Sequence, residues 1–274
     1  MHAKKSLGQH FLTCGWVADM LIGAARLTKK DAVLEIGPGT GVLTRPLAAA
    51  AGKVIAVEKD ETLAAQTAAA LKQEGITNVH IITGDILKLS RFNLNNLNGY
   101  NYNKVVANIP YYLTGRLIRL LLESPVKPST IALTVQKEVA ERIIARPPHM
   151  NLLALGVQAF GTPKIIKIVP ASCFSPQPKI DSAIITISDI SDDFFIKNTI
   201  GQDAFFSIAR AAFGHKRKIL VNTLPTDNDK RETAAKLAAL GISPRARPEE
   251  LSLQNWADIA KIFAHSRETG KIKA

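Results

Sequence analysis

Val33–Glu58 reads VLEIGPGTGVLTRPLAAAAGKVIAVE. An apolar run, Val33–Ile36, is broken by Gly37-Pro38-Gly39-Thr40-Gly41. An alanine-rich stretch follows to Ala51, Gly52 ends it, and Lys53–Val57 is a second apolar run closing on Glu58. The order is strand, glycine turn, helix, strand, as a parallel βαβ unit requires. The ligand crevice of such a unit lies beyond the carboxyl ends of its strands. Glycine in the turn lets the backbone bend sharply and lie against a ligand where a side chain would collide.

The spacing discriminates between ligands. A dinucleotide fingerprint needs a glycine where Val42 stands. Here the glycines fall at 37, 39 and 41, preceded by Glu35, and E-x-G-x-G-x-G resembles the nucleotide turn of class I S-adenosylmethionine-dependent methyltransferases. Glu58, 21 residues after Gly37, ends the next strand, where a carboxylate accepts the protons of both ribose hydroxyls. A short glycine pattern alone also fits a plain tight turn beside a solvated acid. Three glycines in register with two acids favour the cofactor.

The chain has 274 residues and a formal charge of +12, with 35 Lys and Arg against 23 Asp and Glu. That length suits one large domain and one small one. The charge points to an anionic partner, nucleic acid before membrane, because no stretch approaches the roughly 20 apolar residues of a membrane helix. Cys14 and Cys173 are the only cysteines. They form no metal-spaced cluster and are expected as idle or buried thiols in a reducing cytosol, so no metal is expected. The N-terminus lacks the apolar core and cleavage site of a secretory signal.

Along the chain, Lys4–Leu12 mixes basic, amide and apolar residues, as a segment crossing a surface would. Periodicity predicts a helix over Val17–Leu27, and Asp60 caps another that runs to about Glu74, with Gly75 beyond it. Val79–Thr83 is a third strand closing on Gly84-Asp85. A carboxylate there is placed to accept a proton from the cofactor's adenine amino group, or to cap a following helix. Arg91–Asn103 reads as an exposed loop.

Lys104–Ala107 is the fourth strand of the series and runs into Asn108-Ile109-Pro110-Tyr111. An adenine exocyclic amine is a poor nucleophile because its lone pair is delocalised into the ring. An enzyme that methylates it must hold the nitrogen with the lone pair facing the donor. The side-chain carbonyl of Asn108 and the main-chain carbonyl of Ile109 are suited to accept the two N–H bonds. Pro110 fixes the backbone that aims them, and the Tyr111 ring is placed to stack on the base. A Pro-Tyr turn before the helix Leu113–Leu122 is the plainer alternative.

Thr130–Val135 is a fifth strand, with helices expected at Gln136–Arg146 and Leu152–Phe160. Lys164–Val169 and Ile180–Ser188 suggest an antiparallel edge. In the proline-rich loop between them, Phe174 is either core or a cover for the base face opposite Tyr111. Acidic SDISDDFFIKN marks a boundary, giving expected domains of 1–192 and 193–274. Helices are expected at Asp203–Phe213, Lys216–Leu224, Lys230–Leu240 and Leu253–His265. Basic Lys216, Arg217 and Lys218 at a helix start suit phosphate binding, or form a solvated basic face.

The segments KKSLGQHFL, EIGPGTGVLT, AVEKD, GDIL, NIPYYLTGRL, FSPQPKIDSA and FGHKRKIL, in this order and spacing, resemble the ribosomal RNA small-subunit adenine dimethyltransferases from Lys4 to about Leu240. The resemblance implies an α/β, Rossmann-like class I methyltransferase with a seven-stranded, mostly parallel sheet and a small all-α C-terminal domain. It implies a cytoplasmic monomer that uses S-adenosylmethionine to dimethylate two adjacent adenosines in the 3′-terminal hairpin loop of small-subunit rRNA during subunit assembly. Family positions map the cofactor site to His10, Leu12, Gly37, Gly39, Glu58, Asp85 and Asn108. They map the aromatics flanking the adenine to Tyr111 and Phe174; with Asn108, Ile109 and Pro110 these make the expected reacting site, and RNA contacts are expected at Lys4, Lys5, Lys216, Arg217 and Lys218. His10 stands where many relatives have Asn, and Lys216-Arg217 where they have paired arginines. A large-subunit rRNA methyltransferase of the macrolide-resistance type, and a ribosome-assembly RNA binder without catalysis, are the competing readings. Because the donor is already activated, no catalytic histidine is expected.

Overall fold

A computed structural model describes residues 10–93, 101–215, 218–224 and 229–264; the side chains of 90–93 and 264 are not described. The chain divides into two compact units. One comprises Met1–Glu141 and Gly161–Ile190, the other Arg142–Phe160 and Ser191–Ala274.

The first unit carries β1 (Phe11–Leu12), α1 (Gly15–Ala24), β2 (Ala32–Ile36), α2 (Thr44–Ala50), β3 (Lys53–Glu58), α3 (Glu61–Gln73), β4 (Val79–Thr83) and α4 (Ile86–Asn93). It continues with β5 (Lys104–Asn108), a 3-10 turn Tyr111–Leu113, α5 (Thr114–Leu122), β6 (Thr130–Gln136) and α6 (Lys137–Ile143), within which the division between the units falls. Beyond the excursion into the second unit come β7 (Thr162–Val169), β8 (Phe174–Ser175) and β9 (Ser182–Ser188). Seven strands form one sheet in the order β4-β3-β2-β5-β6-β9-β7. β2, β3, β4, β5 and β6 pair in parallel, and β9 is antiparallel to both β6 and β7. The α/β expectation and its antiparallel edge therefore hold.

Strand order reverses between β2 and β5. That is the topological switch point, where ligands of open α/β sheets bind. The pairing there is short. β2 matches β5 only at Val33↔Lys104 and Leu34↔Val105, whereas it matches β3 over all five of its residues. The two strands thus stop pairing before their carboxyl ends, and a crevice opens between the ends. Strand centres are apolar on both faces, as helices on each side demand: Val33, Leu34, Val54, Ile55, Val105, Val106, Ile131 and Leu133 are fully buried.

Local chemistry sets the helix ends. Asp60 caps α3, accepting from Thr62 N–H at 3.1 Å and Leu63 N–H at 3.3 Å, and Gly75 stands beyond the helix at φ +73°. The expected loop from Arg91 is corrected at its start. α4 runs to Asn93, and its start is set by Asp85, whose Oδ1 accepts Leu87 N–H at 3.0 Å.

A second, two-stranded sheet was not anticipated. β1 pairs antiparallel with β8, Phe11↔Ser175 and Leu12↔Phe174, and Thr13 N–H donates to the Cys173 carbonyl at 2.9 Å. This corrects the reading of Cys14 and Cys173 as idle thiols. The pairing sets their Cα atoms 5.0 Å apart, and they form a disulfide that closes a sequence separation of 159 residues. Cross-linking a long loop restricts the unfolded chain, so reduction or Cys14→Ser is expected to lower stability by about 2–4 kcal/mol. The urea midpoint of reduced against oxidised protein measures it.

The second unit is helical: α7 (Leu152–Gln158), α8 (Asp193–Asn198), α9 (Gln202–Phe213), α10 (Lys230–Ala239) and α11 (Leu253–Ala264). Its core is aromatic. The Phe160, Phe195, Phe205 and Phe206 rings lie 5.1–6.0 Å apart, and Trp256 and Phe263 are almost fully buried. These contacts explain why Arg142–Phe160 clusters with the C-terminal residues and not with the sheet, where a continuous 1–192 domain would put it. The helix expected over Lys216–Leu224 is also corrected. Lys216 and Arg217 lie outside the described residues, and the rest holds only a 3-10 turn at Leu220–Asn222. Ile219 is extended (ψ 158°), and Leu220 N–H is taken by the Ala246 carbonyl at 2.9 Å, which withdraws it from any helix.

Candidate active site

The carboxyl ends of β2, β3 and β5, with β1, β8 and the start of α5, enclose a cavity of about 230 Å³ in the first unit. Its floor is the glycine turn. Gly37 and Gly39 adopt φ +72° and +57°, a region that residues with a Cβ rarely enter. At Gly39 a Cβ would also come within 3.2 Å of the Phe11 ring, which therefore lies against the bare backbone. The turn is braced on several sides. Gly37 N–H reaches the Val57 carbonyl at 2.9 Å, Thr67 Oγ1 donates to the Gly39 carbonyl at 2.6 Å, and Arg45 Nη1 to the Thr40 carbonyl at 2.9 Å. Two 2.7 Å contacts to Glu74 fix Arg45 in turn.

Three carboxylates face this cavity. Glu58, at the end of β3, is buried and held by backbone: Oε2 accepts Gly39 N–H at 3.1 Å and Oε1 accepts Asp60 N–H at 2.9 Å. Each oxygen keeps a second lone pair for a ligand hydroxyl. Asp85 is both helix cap and ion-pair partner, with Lys59 Nζ 2.9 Å from Oδ2. Burial would raise its pKa, but the Lys59 hydrogen bond and the Leu87 N–H outweigh burial and lower it. Glu35 differs from both. It is 1% exposed, and neither carboxylate oxygen has a hydrogen-bond partner among the described residues. Burial pushes its pKa up to about 8; the neighbouring Thr44 hydroxyl, which does not reach hydrogen-bond geometry and has no partner of its own, offsets this only in part, and the Glu58 charge adds to it.

The opposite wall is the turn after β5. Asn108 is the last residue of that strand, and its amide nitrogen donates to the His10 carbonyl at 3.3 Å. With the nitrogen so engaged, the acceptor oxygen is what the group offers a ligand. Ile109 is buried at 2% exposure, and Pro110 (φ −57°, ψ 134°) leads into the 3-10 turn. The Tyr111 hydroxyl is 2.8 Å from Ser182 Oγ on β9. Burial raises the phenol pKa, and the Ser182 hydrogen bond works against that rise. The His10 ring stacks on Tyr111 at 5.5 Å between centroids, and His10 Nδ1 lies 2.6 Å from the Pro176 carbonyl. Phe174 is 3% exposed; it belongs to the hydrophobic cluster with Leu12 and also lines the cavity.

Of the residues singled out in the sequence, His10, Leu12, Gly37, Gly39, Glu58, Asp85, Asn108, Ile109, Pro110, Tyr111 and Phe174 converge on this one cavity. Lys4, Lys5, Lys216 and Arg217 lie outside the described residues, and Lys218 is an exposed residue of the second unit. Sequence reasoning missed Phe11, Tyr112 and Arg116, which also line the cavity. Phe11 could have been suspected from its place between His10 and Leu12, and Arg116 from its helical spacing after Tyr112.

The model of one protein family, ribosomal RNA adenine dimethylase, matches residues 1–265. The chain belongs to that family. It is 39% identical over 267 residues to ribosomal RNA small subunit methyltransferase A of Dehalococcoides mccartyi, covering 96% of this chain and 89% of that one. It is 40% identical over 274 residues to the protein of the same name from Pelotomaculum thermopropionicum, covering 95% and 91%. Among solved structures, a dimethyladenosine transferase from Plasmodium falciparum superposes with TM-score 0.78 at 25% identity, covering 94% of this chain and 98% of that one. The 23S rRNA methyltransferase ErmE shares the fold, with TM-score 0.69 at 23% identity, covering 92% and 99%.

Membership makes the chain a methyltransferase that uses S-adenosylmethionine. The cavity fits that cofactor. Its glycine floor leaves room for close approach, and Glu58 offers lone pairs to ribose hydroxyls. Among the described residues no His, Cys, Asp and Glu cluster could hold a metal ion, and no helix is long and apolar enough to cross a membrane.

Proposed function

We propose that this chain dimethylates N6 of two adjacent adenosines in the 3′-terminal hairpin loop of small-subunit rRNA, acting as a cytoplasmic monomer on the assembling subunit. One observation carries the reading: Asn108-Ile109-Pro110-Tyr111 ends β5 in the same cavity as the glycine turn and Glu58. The names borne by relatives at 39–40% identity support the small-subunit substrate.

In this reading His10, Leu12, Gly37, Gly39, Glu58, Asp85 and Asn108 hold S-adenosylmethionine, which when bound supplies an activated methyl group on a sulfonium. Asn108 Oδ1 and the Ile109 carbonyl accept the two N6–H bonds and turn the nitrogen lone pair toward the cofactor end of the cavity. Tyr111, tethered through Ser182, and Phe174 flank the base, so His10 must leave the Tyr111 face that the base is to use. N6 becomes acidic only as its new bond forms, so the residues position and the departing proton goes to water. A looped-out target costs less to unstack than a paired one. Lys4, Lys5, Lys216, Arg217 and Lys218 neutralise phosphates.

The test is transfer from tritiated S-adenosylmethionine to isolated small or large ribosomal subunits that lack the modification. Two dimethylated, adjacent adenosines in small-subunit rRNA are expected. Label confined to large-subunit rRNA would favour the macrolide-resistance reading, and failure to bind S-adenosylmethionine by calorimetry would favour the non-catalytic one.

A further inference from the structure

Tyr111 and Tyr112 are consecutive in one 3-10 turn and meet opposite fates. Tyr111 is half-buried with its hydroxyl on Ser182, whereas Tyr112 is 60% exposed, yet both line the active-site cavity. Few large apolar side chains of the described residues are so open to water. Arg116, in the first turn of α5, stands four residues further along the chain and lines the same cavity. It is exposed and has no carboxylate partner among the described residues. Lys59 brings a second cation to this rim. Its pKa is raised first by the hydrogen bond to Asp85, and in smaller part by the Tyr112 phenol.

We propose that Tyr112 and Arg116 form a second base-binding subsite at the cavity mouth, which holds the nucleotide next to the adenosine being methylated. The proposal rests on the substrate reading above. When a base leaves its stack to enter an enzyme, its neighbour loses a stacking partner and exposes an apolar face. A solvent-facing aromatic ring beside the cavity replaces that partner, and a guanidinium one helical turn away takes the intervening phosphate. Ring plus cation is how proteins hold single-stranded nucleic acid. Where two adjacent adenosines are substrates, one of them rests on Tyr112 while its neighbour reacts, and the nucleotide flanking it on the same side takes that place when it reacts in turn.

The experiment is a binding cycle, read by fluorescence anisotropy, on a hairpin oligoribonucleotide carrying the target loop. The hairpin is used intact, or with the base on the 5′ or the 3′ side of the target adenosine removed. Tyr112→Ala is expected to weaken binding of the intact hairpin about tenfold, and Tyr112→Phe to restore it, because base stacking needs the ring and not the hydroxyl. One of the two abasic hairpins should weaken wild-type binding by a similar factor, and on that hairpin Tyr112→Ala should lose nothing further. Arg116→Ala should reduce the slope of log K against log salt by about one. The proposal is overturned if Tyr112→Ala binds the intact hairpin as tightly as wild type, or if the protein and RNA losses multiply on both abasic hairpins. Absence of methyl transfer from wild type to isolated small subunits lacking the modification would instead contradict the substrate reading, because the binding cycle requires no transfer.

Discussion

Asn108→Ala is expected to lower the single-turnover methylation rate by about 10²–10³-fold, while the dissociation constant for RNA changes by less than about threefold. The magnitude is that of removing one preorganised polar group from a reacting centre, where misplacement alone costs about 10²-fold. The split between rate and affinity follows from position. Asn108 ends β5 inside the cavity, whereas RNA affinity comes mainly from phosphate contacts by cations elsewhere. Its amide nitrogen is committed to the His10 carbonyl, so alanine removes the cavity's acceptor and also loosens β1, which carries Phe11 over the glycine turn. Asn108→Asp keeps an acceptor oxygen but loses that donor, and an intermediate rate is expected. A rapid-quench measurement at saturating cofactor and RNA separates the cases. A normal rate for the alanine variant would remove Asn108 from the chemistry.

The second large effect concerns Glu35 and stability. Its carboxyl group is 1% exposed and has no hydrogen-bond partner among the described residues, and burial raises its pKa from 4.5 to about 8. The sign follows from proton linkage. Between these values the folded protein holds a proton that the unfolded chain has released, so stability declines as pH rises. The contribution is whole below about pH 4.5 and is lost by about pH 8. Such a shift corresponds to on the order of 5 kcal/mol. Glu35→Gln cannot ionise. The cofactor-free variant is expected to lose this part of the pH slope and to be more stable than wild type at pH 8. Urea unfolding from pH 5 to pH 9 measures it, and parallel slopes for the two proteins would mean that Glu35 is not a buried neutral acid.

Much of this was legible in the chain because the signals are local. Glycines at 37, 39 and 41 between two apolar runs dictate a strand-turn-helix whatever surrounds them, and Asp60 and Gly75 bracket α3 by capping chemistry alone. Asn108-Ile109-Pro110-Tyr111 was readable because proline and the end of an apolar strand mark the place together. What escaped depends on distant partners. Two-residue strands such as β1 and β8 carry no periodicity, so neither their pairing nor the Cys14–Cys173 link shows at a separation of 159 residues. Arg142–Phe160 looks like a continuation of the sheet-forming chain until Phe160 meets Phe195 and Phe206. Leu220 looks helical until its N–H is claimed by Ala246. Tyr112 stands in the same stretch as Tyr111, but the opposite exposure of the two rings is invisible in sequence.

The central claim is that the turn after β5 presents an adenine amine to a donor seated on the glycine turn. The measurement that tests it most directly is a crystal structure with S-adenosylhomocysteine and adenosine. The ribose hydroxyls are expected on Glu58, and the adenosine N6 within about 3.2 Å of Asn108 Oδ1 and the Ile109 carbonyl. Adenosine bound away from Asn108, or the glycine turn empty beside a bound nucleoside, would contradict it.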